Sequence, residues 1–500
     1  MSGNLFSSFA NTIPDRGRVF LLAGKREISF GHAFECAARF AHLLASRGVK
    51  RGDRVAVQVE KSPEAVFLYF ACLRLGAIYV PFNPAYTADE LIYLLSDAEP
   101  ALVVCTPEKE TAARSIFGGP VLTLGADGKA GSLIQEAKDL RPDFADADMA
   151  HEELAAILYT SGTTGRSKGA MLSHGNLKSN ALVLKELWQF SDRDVLLHVL
   201  PIFHTHGLFV AINVALAAAA SIIFLPKFDP DLIFRELPRA TVMMGVPTLY
   251  VRLLSDPRLG VAAVRHMRLF VSGSAPLPIE VFNQWQERTG FTLLERYGMT
   301  ETNMNTSNPY VGARKPGTVG LPLPGTELRI VDKNGDAVPR GEVGLITVRG
   351  PNVFQGYWRQ PDKTRAELHA DGFFVTGDLG LKDADGYISI VGRGKELVIT
   401  GGLNVYPREV ESSLNAVPGV SDSAVFGLPH PDLGEGVTAA VVAENGITEA
   451  GILAALEKGL ANFKRPKRIL FVDEIPRNAM GKVQKPLLQK KYCGLYTEGK

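Results

Sequence analysis

Across residues 27–400, short β-branched runs alternate with segments of helical period, and this alternation limits the chain more than any other feature. It is the pattern of layered α/β structure with largely buried sheets. The clearest strands are residues 54–59, 101–105, 155–159, 220–225, 241–245 and 268–271. Amphipathic segments between them, such as 62–75 and 278–288, read as helices, and the second follows Pro276 and Pro278, as helix starts often do. The apolar stretch 210–225, interrupted by Asn213 and Ser221, reads as buried helix and strand.

After about residue 319 the pattern changes to short strands with tight turns at Asn334-Gly335, Asp371-Gly372 and Asp385-Gly386, which suits a β-rich subdomain. A glycine-rich stretch at 392–402 marks a boundary. Beyond it, helices at 407–414 and 449–460 mix with strands at 423–426, 438–443 and 468–472. At 500 residues the chain is too long for one ordinary core. The expected fold is therefore α/β: a large N-terminal compound domain over 1–393, built of layered α/β subdomains plus the β-rich one, and a small α+β C-terminal domain over 394–500.

Composition excludes several function classes. The chain has 54 basic and 53 acidic residues, a net charge of +1, so no nucleic-acid-binding surface is advertised. Cys36, Cys72, Cys105 and Cys493 are widely spaced, with no C-x-x-C pair and no histidine at metal-ligand spacing. Neither a disulfide framework nor a zinc site is expected, and a reducing, cytoplasmic setting fits best. Residues 1–18 lack the apolar core of a secretory signal, and no run is long enough to insert in a membrane. The C-terminal Glu498-Gly499-Lys500 is not a peroxisomal address. Oligomeric state is not readable.

The most informative stretch is Tyr159-Thr160-Ser161-Gly162-Thr163-Thr164-Gly165-Arg166-Ser167-Lys168-Gly169, directly after an apolar strand. Glycines let backbone N–H groups approach phosphate oxygens, the hydroxyls donate further bonds, and Lys168 neutralises charge. A loop of this kind can wrap a triphosphate. It is not the common NTPase loop, because Lys168 is followed by Gly169 rather than Ser or Thr.

Here the chain resembles the adenylate-forming superfamily, which includes acyl-CoA synthetases, luciferases and peptide-synthetase adenylation domains. The resemblance rests on motifs in order: the phosphate loop at 160–168, Ser272-Gly273-Ser274-Ala275-Pro276, Tyr297-Gly298-Met299-Thr300-Glu301, Thr376-Gly377-Asp378, Gly392-Arg393-Gly394-Lys395, and Pro476-Arg477-Asn478 leading to Gly481-Lys482. It implies ATP, Mg²⁺ and coenzyme A as co-substrates and cofactors. Thr160, Ser161, Gly162, Thr163, Thr164, Gly165 and Lys168 would hold phosphates, with Ser274 and Ala275 on the adenine side and Tyr297 stacked on the base. Thr300 would touch the α-phosphate and Glu301 would hold Mg²⁺, although a lone Glu is more often a solvated helix-start acid. Asp378 and Arg393 would bind ribose. Lys482 would bridge the attacking carboxylate and the α-phosphate, where negative charge builds. The C-terminal domain would then rotate about Lys395, bringing the turn Gly401-Gly402 beside the coenzyme A channel.

One departure concerns the acid. Arg296 stands where relatives taking aliphatic or aromatic acids usually have an uncharged residue, and a buried unpaired guanidinium is costly. It asks for a second carboxylate on the substrate. Arg252 is expected to join Arg296 in clamping that carboxylate. With His204, Thr205 and His206, these residues resemble malonyl-CoA synthetases. That implies Thr205 and Met304 beside the C2 position and His206 near the reacting carboxylate and the thiol entrance. The expected activity is thus ATP-dependent malonate:CoA ligation through a malonyl-adenylate, with methylmalonate as a further substrate. Two alternatives stay open: ligation of another small acid, or loading of a carrier protein in trans. A nucleotide-binding regulator without chemistry is disfavoured by the intact Thr300, Glu301 and Lys482.

Overall fold

The computed structural model describes residues 3–160, 167–457, 459–478 and 481–496. Among these residues, one six-stranded sheet runs Val121–Thr123, Leu102–Cys105, Arg54–Gln58, Ile78–Pro81, Leu154–Thr160 and Lys168–Ser173, parallel except for the last pair. A nine-stranded sheet has a parallel interior from Val19–Ala23 through Ser221–Phe224, Val195–His198, Val242–Gly245 and Leu269–Ser272 to Leu294–Met299. Antiparallel strands close both of its ends. Val242–Gly245 and Leu269–Ser272 are buried along their whole lengths. Unbroken apolar runs of this kind need cover on both faces, which a parallel sheet provides.

The helices follow local signals. Ser62 accepts a hydrogen bond from Ala65 N, Pro63 occupies the first turn, and the helix Pro63–Leu75 stops at the left-handed Gly76. The structure corrects one reading: this helix is buried from Pro63 to Arg74 rather than on one stripe, because its residues are apolar nearly all round. The apolar stretch after His206 forms a π-helical segment His206–Ile212, the helix Asn213–Ala217 and the strand Ser221–Phe224, as buried as its sequence implies.

The β-rich part is an antiparallel sheet of Glu327–Val331, Gly344–Arg349, Phe374–Lys382 and Ile388–Arg393. After it come Val398–Thr400, Leu403–Val405, Val420–His430, Gly434–Ala443 and Arg468–Phe471, with the helices Pro407–Asn415 and Glu449–Leu456. Two apolar clusters draw only on residues from Val398 onward, whereas the two larger clusters draw on residues from Leu5 to Ile390. Among the described residues no helix is long and apolar enough to cross a membrane.

Candidate active site

Several candidate residues lie at or beyond the carboxyl ends of neighbouring parallel strands, where open α/β sheets bind ligands. Leu269–Ser272 runs into Gly273, Ser274 and Ala275. Its neighbour Leu294–Met299 carries Arg296 and Tyr297 and ends at Thr300 and Glu301, in the turn before Asn303–Ser307. Val195–His198 leads toward Thr205 and His206. Ser274 takes a left-handed conformation (φ 69°), a strained geometry for a residue with a side chain, and its hydroxyl lies 3.2 Å from His206 Nδ1.

On one side of the site, charged groups are already paired. Asp378 and Arg393 face each other across adjacent strands, with Arg393 Nε 2.9 Å from Asp378 Oδ1. The Tyr297 hydroxyl donates to Asp378 Oδ2 at 2.5 Å, and burial, reinforced by Asp378, holds its phenol well above the usual pKa. Each carboxylate oxygen keeps lone-pair capacity for another donor. Glu301 is buried, not a solvated helix-start acid; burial raises its pKa, and its Oε1 accepts from the Tyr357 hydroxyl at 3.0 Å. Thr160 and Lys168 pair across their two strands, and the Lys168 ammonium is 3.7 Å from Glu367 Oε1. Ser161, Gly162, Thr163, Thr164 and Gly165 lie outside the described residues.

The other side holds unpaired polar atoms. Arg296 is 2% exposed, and its Nε and Nη2 have no hydrogen-bond partner. Burial pushes the guanidinium pKa down to about 9. Its plane lies against the backbone of Gly273, where a Cβ would come 2.4 Å from Arg296 Cζ. Only glycine leaves that space. Around it, Thr205 Oγ1, His206 Nε2 and Ser272 Oγ are buried without partners. Burial, then the Arg296 charge, holds the His206 pKa well below its usual value. Met304 is buried with its backbone bonded both ways to Asn180, and its Cε approaches Gly298.

Arg252 departs from expectation. The structure does not bring it beside Arg296. On the helix Pro247–Leu254, Tyr250 is buried; two residues on is more than half a turn, so Arg252 is exposed and lies over Phe228. There it borders a cavity of about 710 Å³ lined also by Lys61, Pro201, Phe228, Arg477 and Gly481.

The C-terminal segment reaches the paired side. Lys482 N donates to Asn478 Oδ1 at 3.0 Å, and neighbouring Gly481 faces Thr248. Burial and the nearby Arg393 lower the Lys482 pKa, opposed by Glu396, Asp378 and Glu301, so the ammonium stands among these groups. Lys395 is exposed in the short helical turn Gly394–Glu396. Gly401 and Gly402 form the two-residue turn joining Val398–Thr400 to Leu403–Val405, both with positive φ (57° and 78°), as such hairpins require.

Sequence reasoning missed Tyr357, Glu367 and Gly273. The first two lie outside every recognised motif and meet Lys168 only through folding. Gly273 sits inside one of the motifs, but its closeness to Arg296 leaves no mark in the sequence.

The model of the AMP-binding enzyme family matches residues 6–358, and that of the AMP-binding enzyme C-terminal domain matches residues 409–482. Among solved structures, ATP-bound MatB from Rhodopseudomonas palustris is 54% identical, with a TM-score of 0.98, covering 99% of this chain and 100% of that one. The malonate–CoA ligase of Arabidopsis thaliana is 33% identical over 550 residues, 98% of this chain and 89% of that protein. A feruloyl-CoA synthase of Amycolatopsis sp. is 36% identical over 477 residues, 94% of this chain and 95% of that protein.

Proposed function

The chain belongs to the AMP-binding enzyme family, and from that premise we propose that it is an AMP-forming acyl-CoA synthetase whose acid is malonate. The observation that carries the choice of acid is the buried guanidinium of Arg296, whose Nε and Nη2 have no hydrogen-bond partner. Leaving such a group unpaired costs several kcal/mol, on the order of 3 to 5. A distal carboxylate on the substrate removes that cost and forms charge-assisted hydrogen bonds in its place. Relatives of similar identity carry names with quite different acids, so family membership alone does not choose between them.

In this reading Asp378 holds the ribose hydroxyls, Arg393 backs it, and Tyr297 stacks on adenine. Ser274 and Ala275 border the base, while Thr160, Lys168 and the loop between them receive the phosphates. Thr300 contacts the α-phosphate. Mg²⁺ would be held by Glu301, and this fits the donor present: Glu301 is a carboxylate with Oε1 bonded to the Tyr357 hydroxyl and lone-pair capacity left over, and Mg²⁺ bound to ATP needs only one or two carboxylates. When bound it neutralises phosphate charge.

Lys482 stabilises the charge that develops as the first carboxylate attacks the α-phosphate. Its lowered pKa reflects a desolvated ammonium, whose field is correspondingly strong. His206, with Thr205 and Met304, borders the reacting carboxylate and the C2 position, leaving methylmalonate as a further substrate. The chain divides at 393/394, and the C-terminal domain turns about Lys395 for the second step. That turn brings Gly401 and Gly402 to the channel through which the thiol of coenzyme A enters.

The test is CoA-dependent AMP release across malonate, methylmalonate, butyrate and benzoate. Malonate should lead by a wide margin. Butyrate or benzoate used as well as malonate would remove the dicarboxylate reading and leave adenylation standing.

A further inference from the structure

A single phenol stands between two carboxylates beside the first residue of the strand Lys168–Ser173. Residues 355–358 run along that strand: Trp358 N donates to Gly169 O at 2.8 Å, Met171 N to Gly356 O at 2.9 Å, and Gln355 N to Met171 O at 2.8 Å. Tyr357 is thereby fixed beneath Lys168, whose ammonium lies 4.7 Å from the ring centre. The Tyr357 hydroxyl is 2.7 Å from Glu367 Oε2 and 3.0 Å from Glu301 Oε1. Glu367, the last residue of the helix Pro361–Glu367, also meets Lys168 at 3.7 Å and Lys363 at 2.5 Å. Glu301 is held from behind, its carbonyl accepting from Phe354 N at 2.8 Å.

A phenol has one proton to donate. It serves one carboxylate at a time, and toward the other it presents only lone pairs. The two acids are therefore linked through one hydrogen. We propose that Tyr357 and Glu367 are positioning residues for the phosphate end of the nucleotide: they hold Lys168 until the triphosphate arrives, and commitment of the shared Tyr357 proton to Glu367 alone releases it.

The reasoning is electrostatic. A cation held by Glu301 would take that carboxylate's lone pairs and leave the shared phenol proton to Glu367 alone. A carboxylate already accepting that proton attracts the ammonium less strongly. Lys168 then moves to phosphate oxygens. Engagement of the cation and engagement of the lysine become cooperative, each favouring the other by the same factor.

This rests on the ATP reading above, so the experiment measures ATP binding directly, by calorimetry with and without Mg²⁺, on the full-length chain. Failure of the wild-type protein to bind ATP would overturn the proposed function itself. If ATP binds, Glu367→Gln should tighten metal-free ATP binding about threefold to tenfold, because Lys168 loses its competing partner. Asp362→Asn removes the same charge from the same helix without touching Lys168, and should leave affinity unchanged. Tyr357→Phe should shrink the ratio of ATP affinities with and without Mg²⁺, and should do so no further when Glu367→Gln is already present. In pyrophosphate exchange, Glu367→Gln should lower KM for ATP and kcat together, while thioester formation from supplied acyl-adenylate stays as in wild type. Three results would each overturn the inference: metal-free affinity unchanged or weakened in Glu367→Gln, an equal gain in Asp362→Asn, or additive effects of the two site substitutions. A purely structural role predicts weaker binding and loss in both half-reactions.

Discussion

Around Asp378 the charged groups answer one another: Arg393 and Tyr297 converge on one carboxylate, and Glu301 and Glu367 share Tyr357. Around Arg296 they do not, and guanidinium, hydroxyl and imidazole atoms are buried without hydrogen-bond partners. The first arrangement satisfies its charges without ligand, and on the proposed reading it exchanges contacts when the nucleotide arrives. The second, on the same reading, is completed by a ligand of the right charge. Preorganised pairs suit a nucleotide that is always the same, whereas unmet polar atoms suit discrimination among acids, because the wrong acid leaves them buried and unpaired.

The largest effect should come from removing the unmet charge. Arg296→Ala should erase most of the preference for malonate over butyrate, which in the wild-type protein should reach roughly 10³-fold in kcat/KM. ATP affinity should change little. Were Arg296→Ala to keep the preference, the contrast between the two sides would have no functional meaning.

Next is Lys482, which on the proposed reading acts from the C-terminal domain on the paired side. Lys482→Ala should lower acid-dependent pyrophosphate exchange about 10²-fold to 10³-fold and spare CoA transfer from supplied malonyl-adenylate. Equal loss in both half-reactions would mean that the lysine supports the fold rather than the first chemical step.

A buried unmet group outside the site sharpens the contrast, since there it should affect stability alone. His174 is fully buried, accepts from Leu5 N through Nδ1 and leaves Nε2 without a partner. Burial pushes its pKa down to about 4, from 6.5. Below pH 6.5 the unfolded chain takes up a proton that folded His174 refuses, so stability is lost as pH falls from about 6.5 to about 4. Between pH 7 and pH 5 the loss should be about 2 kcal/mol. His174→Gln should remove that part of the pH dependence; equal pH dependence of the unfolding midpoints of variant and wild type would contradict it.

The smallest effect should belong to Arg252. Exposed over Phe228 and away from Arg296, it should change kcat/KM for malonate by less than about threefold when replaced by Ala. A loss comparable to that of Arg296→Ala would show that the two arginines act together despite their separation here.

Sequence alone determined the layered α/β order, the strands such as Val242–Gly245 and Leu269–Ser272, the caps of the helix Pro63–Leu75, and some motif residues that meet, Tyr297, Asp378 and Arg393 among them. These are local or periodic signals, carried by residue type at fixed spacing. Tertiary structure decided which polar atoms find partners. It buried Glu301 under Tyr357 and turned Arg252 outward by its place on a helix. It also pressed Arg296 against Gly273, and joined Lys168 to Glu367 across some 200 residues of chain. Pairing depends on distances between segments far apart in sequence, which no local pattern records. An arginine in a strand reads the same whether its guanidinium is satisfied or not, and only the packing around it tells the two apart.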